Sequence, residues 1–451
     1  MKAGIIIILT LLLIFIIPAE NSSSPFRKVE LQTISAEQES QILQSFYNDQ
    51  ISHIDSFLQR SNKNYRFHGN VLIAHDGEII LNNSYGYKDF PSKNLHEANS
   101  VFQLASVSKQ FTAMAILMLV EQGKVDMESD VRTYLPGLPY EDITVRNLLQ
   151  HTGGLPNYMW MLEHKWGKEA IPTNKDLLKL MKSLKMQRYF RPGRKHDYSN
   201  TGYVLLASIV ESVSEKNFGD FLDENIFTPL GMKHSFAHSA AIEKEYPEKV
   251  DGYFRKWRRL RIYDQTLHDG VLGDKGIYST TGDLFLWDQA LYKNTLINDT
   301  LLQEAMTPGK IRGRWEFPYG FGFRLKELDH KKQVYHKGLW QGFRTSFSRF
   351  VENQVTVIIL NNTDCPHIHS ITQRVEQMAN ELKSTPPELE VINTAICYGF
   401  EYGLEKYRIL KETNPDTEFH IDQIEKTIDL LNEMGKDQLA EIVERLAKEI
   451  G

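Results

Sequence analysis

Ser106 and Lys109 stand three residues apart at the head of an apolar run from Phe102 to Gln122 that contains neither Gly nor Pro. The pattern predicts a buried helix with both residues near its start and on one face. A helix start offers unpaired N–H groups and a positive dipole end, which suits a developing oxyanion. A serine hydroxyl there can attack a carbonyl if a base removes its proton. Lys109 can be that base only as a neutral amine, which requires its pKa to fall from about 10.4 towards about 7 to 8. A Ser-x-x-Lys pair alone is equally a helix start with a snorkelling lysine, so its meaning depends on the other residues that could serve it.

Two further stretches carry suitable groups. Arg191 to Tyr203 is a polar loop stiffened by Pro192 and Gly193, and it presents Tyr198 and Asn200 ahead of an apolar helix over Val204 to Val213. A phenol there can relay a proton to a leaving group, whereas the plain alternative is an Asn cap with Tyr198 as packing. Val334 to Phe343 carries His336, Lys337, Gly338 and Leu339 on a β-rich run. Gly338 suits close approach of a substrate backbone, and the N–H of Leu339 suits a second oxyanion donor; a bulge glycine in a strand is the plain alternative. His151 precedes Gly153-Gly154 and reads as a structural or capping histidine. Leu272 to Trp287 has a Gly-rich loop without the pattern of a phosphate loop, and reads as scaffold beside the cleft.

These residues need a frame. Phe67 to Ile73 and Ile79 to Tyr87, joined through His75-Asp76-Gly77-Glu78, predict a hairpin; Arg344 to Phe350 and Val355 to Leu360 predict two more antiparallel strands. Apolar residues at helical spacing predict helices before Asn64, over Asp142 to Gln150 and over Thr173 to Leu184.

Over 451 residues the chain is 41% hydrophobic and 24% charged, an ordinary globular composition. A net charge of −6 without a long basic run argues against nucleic acid as a partner. Ile5 to Ile17 is apolar apart from Thr10, follows Lys2 and precedes Pro18-Ala19, as in a secretory signal peptide cleaved after Ala19. The protein is therefore expected outside the cytoplasm, in the periplasm, cell envelope or medium, with the membrane involved only if that segment is retained. Cys365 and Cys397 are the only cysteines, and Cys365-Pro366-His367-Ile368-His369 lacks a second ligand cluster, so no metal site is expected.

Ser106-Val107-Ser108-Lys109, Tyr198-Ser199-Asn200 and His336-Lys337-Gly338 resemble, in order, the three motifs of the serine β-lactamase and penicillin-binding protein superfamily. The resemblance is strongest to its class C, DD-peptidase and esterase-like branch, and extends from about Phe67 to Met378. It implies an α/β (α+β) fold: an antiparallel sheet flanked by helices on both faces, beside a mostly helical lobe. It also implies acylation of Ser106, proton management by Lys109 and Tyr198, and orientation of Lys109 and substrate by Asn200. His336 would lie across the cleft near Tyr198, and the N–H groups of Ser106 and Leu339 would form the oxyanion hole. No cofactor is implied. Where lactam-hydrolysing members carry Lys-Thr-Gly or Lys-Ser-Gly, this chain has His336 and Lys337, whose weaker field on a substrate carboxylate favours an ester, D-amino-acid peptide or amide over a lactam.

The expected organisation is a signal peptide at 1–19, a hydrolase domain at 20–385 and a helical extension at 386–451. Within the extension, apolar spacing predicts three helices, over Leu389 to Leu410, Ile421 to Leu431 and Leu439 to Ile450. They either pack on the hydrolase or recruit a protein partner. Two functions follow: a serine hydrolase of small-molecule or short-peptide substrates, or a sensor on the same fold that is acylated without turnover.

Overall fold

The computed structural model describes residues 34–240, 249–257, 259–328, 331–382, 386–415 and 417–450. The signal-peptide expectation lies outside them. Contacts divide the chain into one unit of residues 35–389 and another that includes residues 390–450.

The larger unit is built on six strands: β1 (Gly69–His75), β2 (Glu78–Tyr85), β3 (Arg324–Leu328), β4 (Lys331–Trp340), β5 (Phe343–Phe350) and β6 (Val355–Asn361). Their order is β3-β4-β5-β6-β1-β2, and every neighbouring pair is antiparallel. The predicted hairpin is β1-β2, turned by Asp76 and Gly77 with φ of 50° and 81°.

β1 and β6 are buried along their whole length because both sheet faces are covered. Successive residues point to opposite sides, so Val71, Ile73, Val357 and Ile359 join one core with Ile54 and Leu58 of α1 (Ala36–Tyr65). Leu72, Ala74, Ile358 and Leu360 join the other, with α2 (Lys109–Glu121) and the helical lobe. That lobe includes α3 (Val145–Leu149), α4 (Tyr158–Lys165), α5 (Asn174–Leu184) and α6 (Asn200–Ser214), while α7 (Thr281–Tyr292) follows it in the chain. On the far face, Ile371 and Val375 of α8 (Ile368–Asn380) complete the core shared with α1.

Two sequence expectations change. The helix predicted from Phe102 begins only at Lys109: Phe102–Gln103 is a short strand paired with Ile277–Ser279, and Ala105–Ser108 is a 3-10 turn. Tertiary hydrogen bonds override local propensity here, for the Leu104 N–H donates to Ile277 O and the Leu104 carbonyl accepts from Thr345. Among the described residues, the C-terminal stretch holds four helices rather than three: α9 (Pro387–Tyr398), α10 (Phe400–Thr413), α11 (Ile421–Glu433) and α12 (Asp437–Ile450). Gly399, at φ 101°, breaks the first predicted helix in two. Val391, Ala395, Phe400, Leu404 and Leu446 form this unit's own core.

Candidate active site

Ser106 sits in the 3-10 turn that feeds α2, and Lys109 is the first residue of α2. The turn is held from three sides. Ser108 Oγ accepts the Ile277 N–H at 3.2 Å, Thr345 Oγ1 donates to Leu104 O at 2.7 Å, and Ala105 adopts a left-handed φ of 49°. Such backbone strain persists only where the surroundings enforce it.

The Lys109 side chain is fully buried. Its Nζ lies 3.1 Å from Ser106 Oγ, 2.9 Å from Asn200 Oδ1 and 2.7 Å from the Asp274 carbonyl. Asn200 is the first residue of α6; Ser199 caps that helix instead, its side chain accepting the Gly202 N–H. Asp274 belongs to the glycine-rich run that the sequence marks only as scaffold. It is anchored from below by Tyr158 of α4, whose hydroxyl donates to Asp274 Oδ2 at 3.0 Å and accepts from the buried Lys275 Nζ at 3.1 Å.

Tyr198 stands on the loop before α6, with its ring centroid 5.0 Å from Lys109 Nζ. Among the described residues its buried hydroxyl has no hydrogen-bond partner. His151 lies against the ring at 4.3 Å and accepts the Ser199 N–H on Nδ1 at 3.1 Å, which leaves its proton on Nε2. Burial first, then the positive charges of Lys109 and of the neighbouring histidines and Arg324, holds His151 well below the ordinary histidine range. His151 therefore braces the Tyr198 loop from beneath, in keeping with a structural reading.

His336 projects from β4 to within 6.2 Å of the Tyr198 ring, centroid to centroid, and is wholly buried. Its Nδ1–H donates to Lys337 O at 2.9 Å, so Nε2 accepts from the Tyr319 hydroxyl at 3.1 Å. Burial, reinforced by Lys109 and Arg324, keeps this ring neutral. Sequence reasoning missed Tyr319 and Arg324. The Arg324 guanidinium lies 4.9 Å from the Tyr198 ring centroid and 5.8 Å from that of Tyr319. An aromatic at 319 and a cation at 324 have no local signature, since only packing against the loop before α6 carries them to Tyr198.

Three expectations for β4 meet the geometry differently. Lys337 points away from Ser106, because strand alternation sends it to the opposite face from His336, where Nζ lies 3.4 Å from His369 Nδ1 of α8. Gly338 does not leave room for substrate: a Cβ there would lie 2.3 Å from Leu104 O, 2.2 Å from Thr345 Oγ1 and 3.0 Å from Ala105 Cβ. Its small size lets the serine turn itself seat against the strand. Leu339 is 66% exposed. The β3-β4 pairing ends at Arg324↔Tyr335, whereas β5 pairs with β4 as far as Trp340, so residues 336–340 have a strand partner on one side only. Elsewhere, the buried Cys365 donates from Sγ to Tyr65 O at 3.0 Å.

A serine one turn from a buried lysine, set where a two-sided antiparallel sheet meets a helical lobe, is the arrangement of a serine hydrolase. The Beta-lactamase family model matches residues 54–374, and the chain belongs to that family. It is 34% identical to "Penicillin-binding protein 4*" of Bacillus subtilis, over 69% of this chain and 72% of that protein. It is 26% identical to a D-aminopeptidase of Brucella anthropi over 69% of this chain, spanning 59% of that relative's length. Among solved structures, a penicillin binding protein from Bacillus halodurans superposes with a TM-score of 0.63 at 26% identity, covering 72% of this chain and 99% of its own.

Proposed function

We propose that the protein is an exported serine hydrolase working through an acyl-enzyme on D-amino-acid peptides or amides, or on esters. The observation that carries this reading is the convergence on Lys109 Nζ of Ser106 Oγ, Asn200 Oδ1 and the Asp274 carbonyl, at 3.1, 2.9 and 2.7 Å. Two of those oxygens can only accept. Loss of one proton from the Lys109 ammonium would leave two N–H bonds for those oxygens and a lone pair for the Ser106 hydroxyl.

In that state the Ser106 proton passes to Nζ as the Oγ–C bond forms and the carbonyl electron pair moves onto oxygen. The oxyanion is received by the N–H of Ser106, in the 3-10 turn that leads into α2, and by that of Leu339, on the open stretch of β4. Collapse of the intermediate breaks the bond to the leaving group, which takes a proton from the Tyr198 hydroxyl; the Lys109 ammonium then reprotonates Tyr198. Water repeats the sequence on the ester of Ser106 and releases the acid. No step requires a metal or organic cofactor.

The likeness to a D-aminopeptidase and the neutral imidazole at 336 support D-peptide, amide or ester substrates over lactams. Arg324 beside Tyr198 supplies a positive charge that the imidazole does not. Export rests on the N-terminal apolar run; among the described residues no helix is long and apolar enough to cross a membrane.

The test is labelling by a fluorophosphonate probe, run beside turnover of a D-alanyl anilide, a short-chain ester and a chromogenic cephalosporin. Wild type is expected to label and to turn over the first two, and Ser106→Ala to do neither. Efficient cephalosporin hydrolysis with poor ester turnover would refute the substrate assignment. Stoichiometric labelling with no turnover of any substrate would make the protein a sensor.

A further inference from the structure

A net charge of −6 conceals a local opposite: Arg255-Lys256-Trp257-Arg258-Arg259-Leu260-Arg261 places five cations within seven residues. Strands Tyr253–Lys256 and Arg259–Ile262 pair antiparallel, with Lys256↔Arg259 closing a two-residue loop, so Trp257 stands at the tip of a hairpin. Its side chain is 89% exposed and its φ is 60°. Loops of this length favour Asn or Gly at left-handed positions, and a bulky residue there is an outlier. Neither packing nor backbone preference accounts for an indole at this position.

The flanks repeat the pattern. Arg255, Lys256, Arg259 and Arg261 are all exposed, and among the described residues none forms an ion pair. Ile262 and Tyr263 are 45% and 36% exposed. The base, by contrast, is firmly rooted: Tyr253 N–H donates to Asn362 O at 2.8 Å, Asp364 N–H to Tyr253 O at 2.9 Å, and Arg255 N–H to Asp364 Oδ2 at 2.9 Å. Arg255 Nε also donates to Trp257 O at 2.8 Å, tying the loop to its own shaft.

We propose that this hairpin docks the protein on an anionic phospholipid surface, Trp257 entering the headgroup region while the four described cations meet lipid phosphates. The spacing fits. The cations occupy the three rungs behind the tip, Lys256/Arg259, Arg255/Leu260 and Phe254/Arg261. At about 3.3 Å per rung they span roughly 7 Å, comparable with the 5 to 10 Å depth of the headgroup boundary. Tryptophan favours that boundary, having an apolar body and a polar N–H. A single-strand nucleic-acid reader instead lines a basic groove with successive stacking aromatics. Here Tyr253 is buried against Phe90 and Phe254 packs on Tyr263 at 4.5 Å, which leaves Trp257 standing by itself at the tip. The docking is separate from any membrane contact made by the N-terminal apolar run.

The test is flotation of the full chain with vesicles of phosphatidylcholine, alone or with about a third phosphatidylglycerol. Wild type is expected to float with the anionic vesicles and to be released by salt. Trp257→Asn, which suits the left-handed loop, should weaken binding about tenfold. Lys256→Gln with Arg259→Gln should weaken it about twenty-five-fold, near fivefold for each cation. Ester hydrolysis in solution should be unchanged in both variants, confirming their fold. The N-terminal run is the same in wild type and both variants, so the differences between them report the hairpin. Equal flotation of variants and wild type, equal binding to neutral vesicles, or release of wild type from vesicles by single-stranded RNA would each overturn the proposal.

Discussion

The two walls around Ser106 are built on opposite terms. On one side Lys109 is buried with each of its nearest oxygens at hydrogen-bonding distance, and the Asp274 carbonyl it holds is itself braced by Tyr158 and Lys275. On the other side the hydroxyl of Tyr198 and the Nε2 atoms of His151 and His196 are buried and, among the described residues, without partners. A buried polar group left unpaired typically costs about 1 to 3 kcal/mol. The lysine wall thus serves stability and chemistry together, whereas the tyrosine wall gives up stability to hold groups ready for a substrate.

That contrast breaks most visibly at Lys109. Lys109→Met removes the proposed base and leaves Asn200 Oδ1 and the Asp274 carbonyl facing an apolar chain. The acylation rate should fall about a thousandfold or more. Stability should fall as well, by about 1 to 3 kcal/mol for each oxygen left unpaired. Single-turnover labelling and urea denaturation measure the two effects. A variant that loses activity at undiminished stability would show that the three hydrogen bonds contribute nothing to the fold.

Tyr198→Phe should separate what Lys109→Met joins. Loss of the hydroxyl is expected to lower kcat about a hundredfold with little change in KM, since the proton relay acts in the transition state. Stability should rise, by about 1 kcal/mol, because an unpaired buried hydroxyl is gone. A drop in melting temperature would mean that the hydroxyl does have a partner in solution, and the asymmetry between the walls would disappear.

The sequence exposes these walls unequally, for a physical reason. Ser106, Lys109, Tyr198, Asn200 and His336 are legible because chemistry restricts residue type and short spacing restricts geometry. β1 and β6 are legible because strands buried on two faces write continuous apolar runs, whereas β2 and β5 are legible from the turns and partner strands beside them. The Asp274 carbonyl is invisible because a backbone oxygen carries no residue identity. Arg324 and Tyr319 are invisible because only tertiary packing of the β3 edge against the Tyr198 loop brings them to that ring. Gly338 is conspicuous in the sequence, yet its purpose is not, since a close approach names no partner until the Leu104 carbonyl is in place. Lys337 shows the same limit: a one-residue step along a strand reverses the face.

The remaining difference between the walls concerns acid. The tyrosine wall contains His151, His196 and His336, each held below the ordinary histidine value chiefly by burial. Around them stand Lys109, Arg324, Asp197, Tyr203, Tyr319 and the Lys337 carbonyl; Asp197 beside His196 and the Lys337 carbonyl beside His336 oppose their neutrality. A histidine whose folded pKa is depressed binds its proton more readily when unfolded, so its contribution is complete above the unfolded value of about 6.5 and is lost as pH falls below it. His68 and His96, lowered to about 4 and about 3, add to the same slope from elsewhere in the fold. Unfolding near pH 5.5 should therefore take up several protons. His336→Gln keeps a donor for Lys337 O and an acceptor for the Tyr319 hydroxyl while removing one titrating group. It should flatten the dependence of unfolding free energy on pH by up to about 1.4 kcal/mol per unit, the value of one proton. An unchanged slope in denaturation curves between pH 7 and about 5 would mean that His336 is already protonated in the folded protein, and so cannot accept from Tyr319.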